Sequence, residues 1–152
     1  MKIEEFRPEY AAAYESLNRE WLVGYGLIEQ ADEPQLVDPQ GTIIEAGGQI
    51  YVALDDGVVI GTCGMAPHGD GEFEVVKLAV VTSARGRGIG AQLIDACLRF
   101  ARGRGAQRVT LLSSSLLAPA LKLYERAGFR YEKLPVTNPY KTADVYMVLE
   151  LT

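Results

Sequence analysis

The residues of this chain best suited to chemistry lie in one run, Leu78-Ala79-Val80-Val81-Thr82-Ser83-Ala84-Arg85-Gly86-Arg87-Gly88-Ile89-Gly90-Ala91. It reads as a strand, a short connection and a glycine-rich turn that opens a helix. Unpaired N–H groups at a helix N-terminus bind anions, and the helix dipole assists. Glycines allow positive φ and let a phosphate come close to the backbone. Arg85 and Arg87 add positive charge at the mouth. The chemistry that fits is the binding of a pyrophosphate. Gly86 to Ala91 also match a loose G-x-G-x-x-A dinucleotide pattern. That pattern normally opens a βαβ unit with an acid about 20 residues further on, at the end of the next strand. Here the next strand ends Leu111-Leu112-Ser113, without an acid. The bland alternative is a helix cap and nothing more.

The elements that must position this loop follow from periodicity. Residues 8–24 read as a helix, with Pro8 in its first turn and Tyr14, Leu17, Trp21 and Leu22 at helical spacing. A short helix and a loop are expected over 25–48. The apolar runs Ile50–Leu54 and Val58–Met65, joined by Asp55-Asp56-Gly57, predict a hairpin. A second turn, Pro67 to Gly71, leads into a strand over Glu72–Val81, completing an antiparallel meander. Gly61–Met65 is expected to pair with Glu74–Leu78, and alternation puts Glu72, Glu74, Val76, Leu78 and Val80 on one face. Gly90–Arg104 reads as a helix, Arg108–Leu112 as a strand and Ala118–Ala127 as a helix stopped by Gly128. Phe129–Tyr131 and Asp144–Leu151 read as strands. The fold class is α/β (α+β): one mixed, mostly antiparallel central sheet with helices around it, in a single domain spanning 1–152.

Two blocks together carry a family resemblance. Arg85-Gly86-Arg87-Gly88-Ile89-Gly90, with the strand Leu78-Ala79-Val80 before it, is similar to the R-x-x-G-x-G acetyl-CoA motif of the GNAT (GCN5-related N-acetyltransferase) superfamily. Ala120-Leu121-Lys122-Leu123-Tyr124-Glu125-Arg126-Ala127-Gly128-Phe129 resembles that family's A-x-x-L-Y-x-x-x-G-F signature. The blocks stand in the family's order, and the resemblance covers about residues 50–151. It implies the GNAT fold, with two parallel strands, those of Leu78–Val80 and Arg108–Leu112, splaying apart to hold the pantetheine arm. It implies acetyl-CoA as co-substrate. Leu78, Ala79 and Val80 would contact the pantetheine, and Arg85, Gly86, Arg87, Gly88, Ile89, Gly90 and Ala91 would hold the pyrophosphate. Thr82 stands where relatives often have proline. Ser114 lies where many relatives have an asparagine that contacts the cofactor.

The implied activity is transfer of an acetyl group to a primary amine of a small molecule or a protein. Such a transfer needs a proton acceptor for the ammonium, donors for the oxyanion and a proton for the departing thiolate. The resemblance points to Glu74 as general base, with Glu72 next in order, and to Tyr124 as the hydroxyl at the thiolate. A backbone N–H near Val76 or Leu78 would hold the oxyanion. Each has an ordinary reading too: a solvated carboxylate at a strand end, an aromatic anchor on a helix. Deprotonation through ordered water is a further alternative to a single base. Lys77, mid-strand among apolar residues, could extend its charge to solvent, pair with an acid or line the site. The resemblance also implies an acceptor wall of Trp21 to Glu33 and Lys133 to Lys141. Trp21, Tyr25 and Tyr140 are its candidate contacts, and Asp32, Glu33 and Asp38 could draw a cation. A non-catalytic acyl-CoA sensor or interaction module on the same fold is the alternative function.

Composition bounds these readings. The chain has 152 residues, 48% hydrophobic and 23% charged, as expected for a folded domain rather than a disordered one. Its net charge of −5 argues against a nucleic-acid binder. The charge is split: residues 1–74 carry −12 and residues 75–152 carry +7. The split fits an anionic cofactor on one side and a cationic amine on the other. Two cysteines without a CxxC, and the single histidine His68 in a turn, exclude a zinc motif and a Ser-His-Asp arrangement, so no metal is expected. No apolar run approaches the ~20 residues of a membrane span. The N-terminal residues do not resemble a signal peptide, so a cytoplasmic protein with no membrane partner is expected. Sheet edges of this kind can pair, which would give a homodimer.

Overall fold

The computed structural model describes residues 1–151. Its centre is the predicted meander. Strand β2 (Gln49–Asp55) turns through Asp56 and Gly57, both at positive φ, into β3 (Val58–Pro67). Strand β3 then pairs antiparallel with β4 (Glu72–Val80). Strand β1 (Lys2–Glu5) adds to β2, and β5 (Arg108–Ser113) adds to β4 in parallel. Strands β6 (Arg130–Glu132) and β7 (Val145–Glu150) complete one seven-stranded sheet in the order β1-β2-β3-β4-β5-β7-β6.

Helix α1 (Ala11–Gly24) follows a single 3-10 turn at Pro8–Tyr10. The region 25–48 holds a 3-10 turn (Gln30–Asp32), the short α2 (Glu33–Val37) and one wide π-type turn over Gln40–Ile44. Helix α3 (Ile89–Gly103) buries the stripe Ile89, Leu93, Ile94, Cys97, Leu98 and Ala101. Helix α4 (Ala118–Arg126) buries Tyr124 against Phe129 at 5.9 Å between ring centroids. Helices cover both faces of the sheet, as alternation along β3 shows. Thr62 bonds to Asn18 of α1, while the carbonyl of its neighbour Cys63 lies 3.7 Å from the Cys97 thiol of α3. Both thiols are buried and unbridged.

Two departures from the expected sheet shape the functional region. First, β4 and β5 pair only over Glu72–Val75 and Arg108–Leu111, so their C-terminal ends diverge. Second, β4 carries a bulge. Val76 faces Gly64 across the ladder and Ala79 faces Thr62, so two residues, Lys77 and Leu78, stand opposite Cys63 alone. Lys77 takes φ +55, a left-handed conformation that costs a non-glycine residue about 1–3 kcal/mol. The extra residue inverts the alternation. Glu74 and Val76 face α1, but Leu78 and Val80 turn to the α3 face, and pairing reaches Gly61–Val80 rather than stopping at Leu78. The expected single face from Glu72 to Val80 therefore breaks at Lys77. Simple period-2 reading has no means of showing this, because the bulge is marked by a lysine and not a glycine.

Candidate active site

The glycine-rich turn sits at the mouth of the divergence between β4 and β5. Gly86 and Gly88 have φ +81 and +75 with open space around them, so glycine is required there by conformation. Gly90 is different. A Cβ on it would lie 2.7 Å from Cδ1 of Leu123, so glycine there lets α4 approach α3. Among the described residues, the amides of Gly86 through Ala91 have no backbone hydrogen-bond partner. That run of free donors stands at the start of a fifteen-residue helix, where the sequence analysis expected an anion to bind.

A groove of about 570 Å³ runs from this turn between α3, α4 and the end of β4. Leu78, Ala79, Val80, Arg85, Gly86, Gly88, Ile89, Gly90 and Ala91 all line it. Arg87 does not. Its guanidinium reaches the Asp55 carboxylate at 3.3 Å. Arg102 and Arg126 line the groove as well and add positive charge that the motif did not announce. Arg85 lies with its guanidinium 4.6 Å from the centroid of the Trp21 ring, and Trp21 packs against Tyr25 at 5.2 Å. The unpartnered amides, the arginines and the open notch suit a long ligand with a pyrophosphate, which is the shape and charge of coenzyme A.

A smaller cleft of about 120 Å³ adjoins the groove, with Trp21, Leu78 and Leu117 common to both. Glu74, Lys77, Ser114, Tyr124 and Tyr140 line this cleft. Tyr25, which the resemblance implied as an acceptor contact, lines the larger groove and not this cleft. Ser114 is in the cleft, and its Oγ accepts the Leu116 N–H at 3.1 Å.

The charges in the cleft have distinct environments. Among the described residues no side chain hydrogen-bonds to the Glu74 carboxyl, and burial raises its pKa while His68 and Lys77 pull it partly back. The Tyr124 phenol is driven upward by burial, with the buried thiols Cys63 and Cys97 adding to the effect, and so keeps its proton. Burial also raises Tyr140, helped by Asp32, Glu74 and Glu29.

The acids expected to draw a cation are already engaged. Lys77 Nζ lies 2.8 Å from Asp32 Oδ1, with side-chain exposures of only 6% and 4%. Asp32 Oδ2 accepts the Glu29 N–H at 2.8 Å. Glu29 in turn accepts the backbone N–H groups of Lys141 and Thr142 at 2.9 and 2.8 Å, and the Thr142 hydroxyl. Burial works against ionisation of Glu29, yet these bonds hold its carboxyl below the ordinary range. Glu33 makes a two-point contact with Arg19, both bonds at 2.8 Å. Asp38 accepts the Gly41 N–H at 3.0 Å. These acids brace the cleft, and Asp32 and Glu29 also act electrostatically on Tyr140 within it. Asn18 was not foreseen. It bonds to the Tyr14 carbonyl and to Thr62 Oγ1, whose hydroxyl donates to the Lys77 carbonyl, so α1 holds the bulge.

Comparison with known proteins gives the following. The sequence profile of the acetyltransferase (GNAT) family matches residues 10–129. An uncharacterised N-acetyltransferase of Schizosaccharomyces pombe is 28% identical over 149 residues, covering 95% of this chain and 91% of that protein. The chain spans about half the length of mouse and rat N-acetyltransferases of family 8 that it also matches. An acetyltransferase of the GNAT family from Staphylococcus aureus Mu50 superposes with TM-score 0.91 at 20% identity, over 99% of both chains. A GNAT-family acetyltransferase from Brucella melitensis, solved in complex with acetyl-CoA, superposes with TM-score 0.74 at 23% identity, over 99% of this chain and 88% of that one. No helix among the described residues is long and apolar enough to cross a membrane.

Proposed function

Because the chain belongs to the GNAT acetyltransferase family, we propose that it transfers the acetyl group of acetyl-CoA directly to a primary amine, of a small molecule or a protein, in a ternary complex. One observation carries the reading. The notch between β4 and β5 joins a turn of unpartnered amides on one side to a partly buried, unpartnered carboxylate, Glu74, on the other.

When bound, acetyl-CoA supplies an activated thioester carbonyl and a thiolate leaving group. The amides of Gly86 to Ala91, with Arg85 at the mouth, hold the pyrophosphate. The diverging end of β4 offers backbone groups near Leu78 and Val80 to the pantetheine. Glu74 faces α1 and lines the smaller cleft, where it accepts the proton of the incoming ammonium. Its raised pKa makes it a stronger base than an ordinary carboxylate. Tyr124, protonated and lining the same cleft, donates to the departing sulfur. A backbone N–H at the bulge, near Val76 or Leu78, supports the oxyanion.

The test is thiol release from acetyl-CoA over a panel of amines, alongside calorimetric titration of CoA. Binding with turnover is expected. Binding with no thiol release from any amine would mark a non-catalytic acyl-CoA sensor, and no binding would remove both readings. Tyr124→Phe keeps the ring that packs on Phe129 and removes the donor. It is expected to lower kcat about ten- to a hundredfold with CoA affinity unchanged. An unaltered kcat would reduce Tyr124 to a packing residue.

A further inference from the structure

The least accounted-for group in the cleft is the Lys77 ammonium. The bulge places it on the same side of β4 as Glu74, and it lines the cleft. Its side chain is 6% exposed, yet its one hydrogen-bond acceptor among the described residues is Asp32 Oδ1. An ammonium has three N–H donors, and leaving buried donors without acceptors is costly. Asp32 is shared, since its second oxygen accepts the Glu29 N–H. The Tyr140 ring also faces the ammonium, with its centroid 5.9 Å away. Of the two acids that line the cleft, Asp32 and Glu74, only Glu74 has no side-chain hydrogen bond among the described residues.

Resting on the acetyl-transfer reading above, we infer that Lys77 selects the acceptor: an amine that also carries a hydrogen-bond-accepting oxygen, and no second ammonium. The amine goes to Glu74, and the oxygen takes up a vacant Lys77 donor. A diamine would bring a second ammonium, which has only N–H donors, against the donors of Lys77, and neither could accept from the other. The cleft, of about 120 Å³, admits a small amine or the tip of a larger one.

The experiment compares four series of equal chain length under saturating acetyl-CoA: alkylamines, amino alcohols, ω-amino acids and α,ω-diamines. The oxygen-bearing acceptor of best length is expected to exceed the diamine and the alkylamine of that length by at least about tenfold in kcat/KM. Whether alcohol or acid leads identifies the oxygen as neutral or anionic. A diamine as good as its oxygen-bearing partner at every length would overturn the inference, as would alkylamines equal to both. The double substitution Lys77→Met with Asp32→Leu removes the ion pair as a unit. It is expected to bring the ratio of oxygen-bearing to diamine kcat/KM close to one. A folded double variant that keeps the preference would overturn the role of Lys77. If that variant does not fold, the wild-type series decides. Thiol release from none of the amines, with CoA bound, overturns the small-amine reading itself, a result distinct from a reversed order of preference.

Discussion

Glu74→Gln is expected to lower kcat by about 10²–10⁴-fold while leaving CoA affinity unchanged. The amide keeps the size and shape of the carboxyl but cannot accept the ammonium proton. The pH profile separates this from simple disruption. A base must be ionised to work, and burial raises the Glu74 pKa above the ordinary carboxylate value of about 4.3. The acid limb of kcat/KM therefore lies above that value and disappears in the variant. Stability runs the other way. With its pKa raised on folding, Glu74 binds its proton more tightly in the native state, so stability falls as pH rises from the unfolded pKa through the folded one. Glutamine removes that cost, and at neutral pH the variant should unfold at the same temperature as wild type or higher. A variant that is slow but no less stable would locate the loss in chemistry. Unchanged turnover and an unchanged acid limb would assign deprotonation to ordered water.

Asp32→Ala carries the largest expected effect on stability. It leaves the Lys77 ammonium buried without its counter-ion, which costs about 3–5 kcal/mol. For a domain of this size that corresponds to a fall in Tm of roughly 6–20 °C. The same substitution removes the acceptor of the Glu29 N–H, so the turn Gln30–Asp32 loses its capping bond as well. Lys77→Met combined with Asp32→Leu is expected to recover most of the loss, because two apolar side chains replace the pair without stranding a charge. Thermal unfolding followed by circular dichroism checks both. A loss below about 1 kcal/mol in Asp32→Ala would mean that water reaches the ammonium and the pair acts as a surface one.

How much of this was legible depended on whether the signal was local. The glycine-rich turn could be read because Gly86 and Gly88 are demanded by their own φ values, and because free amides follow from the start of a helix alone. Helix α3 announced itself through its apolar stripe, and β2–β3 through Asp55-Asp56-Gly57. Strand β1 was missed: Lys-Ile-Glu-Glu at a sheet edge has too little alternation to register. The bulge at Lys77 was missed because its cause lies in tertiary ties. Asn18 and Thr62 hold the Lys77 carbonyl, and Asp32 holds its ammonium. Such partners lie tens of residues apart in sequence, and the brace from Glu29 to Thr142 spans 113. The charge split was visible from the start. That several of its acids are tied to Lys77, Arg19 and loop amides was not, since composition counts charges without pairing them.

Trp21 is the only tryptophan of the chain, and it lines both the groove and the cleft beneath Arg85. The protein therefore carries its own optical probe at the junction of its two cavities. Excited selectively, beyond the absorption of the eight tyrosines, its emission arises at one point, next to a guanidinium whose position a pyrophosphate would govern and beside the space an acceptor would fill. One unlabelled chain can thus be titrated with either ligand, and the order in which they arrive can be read as light.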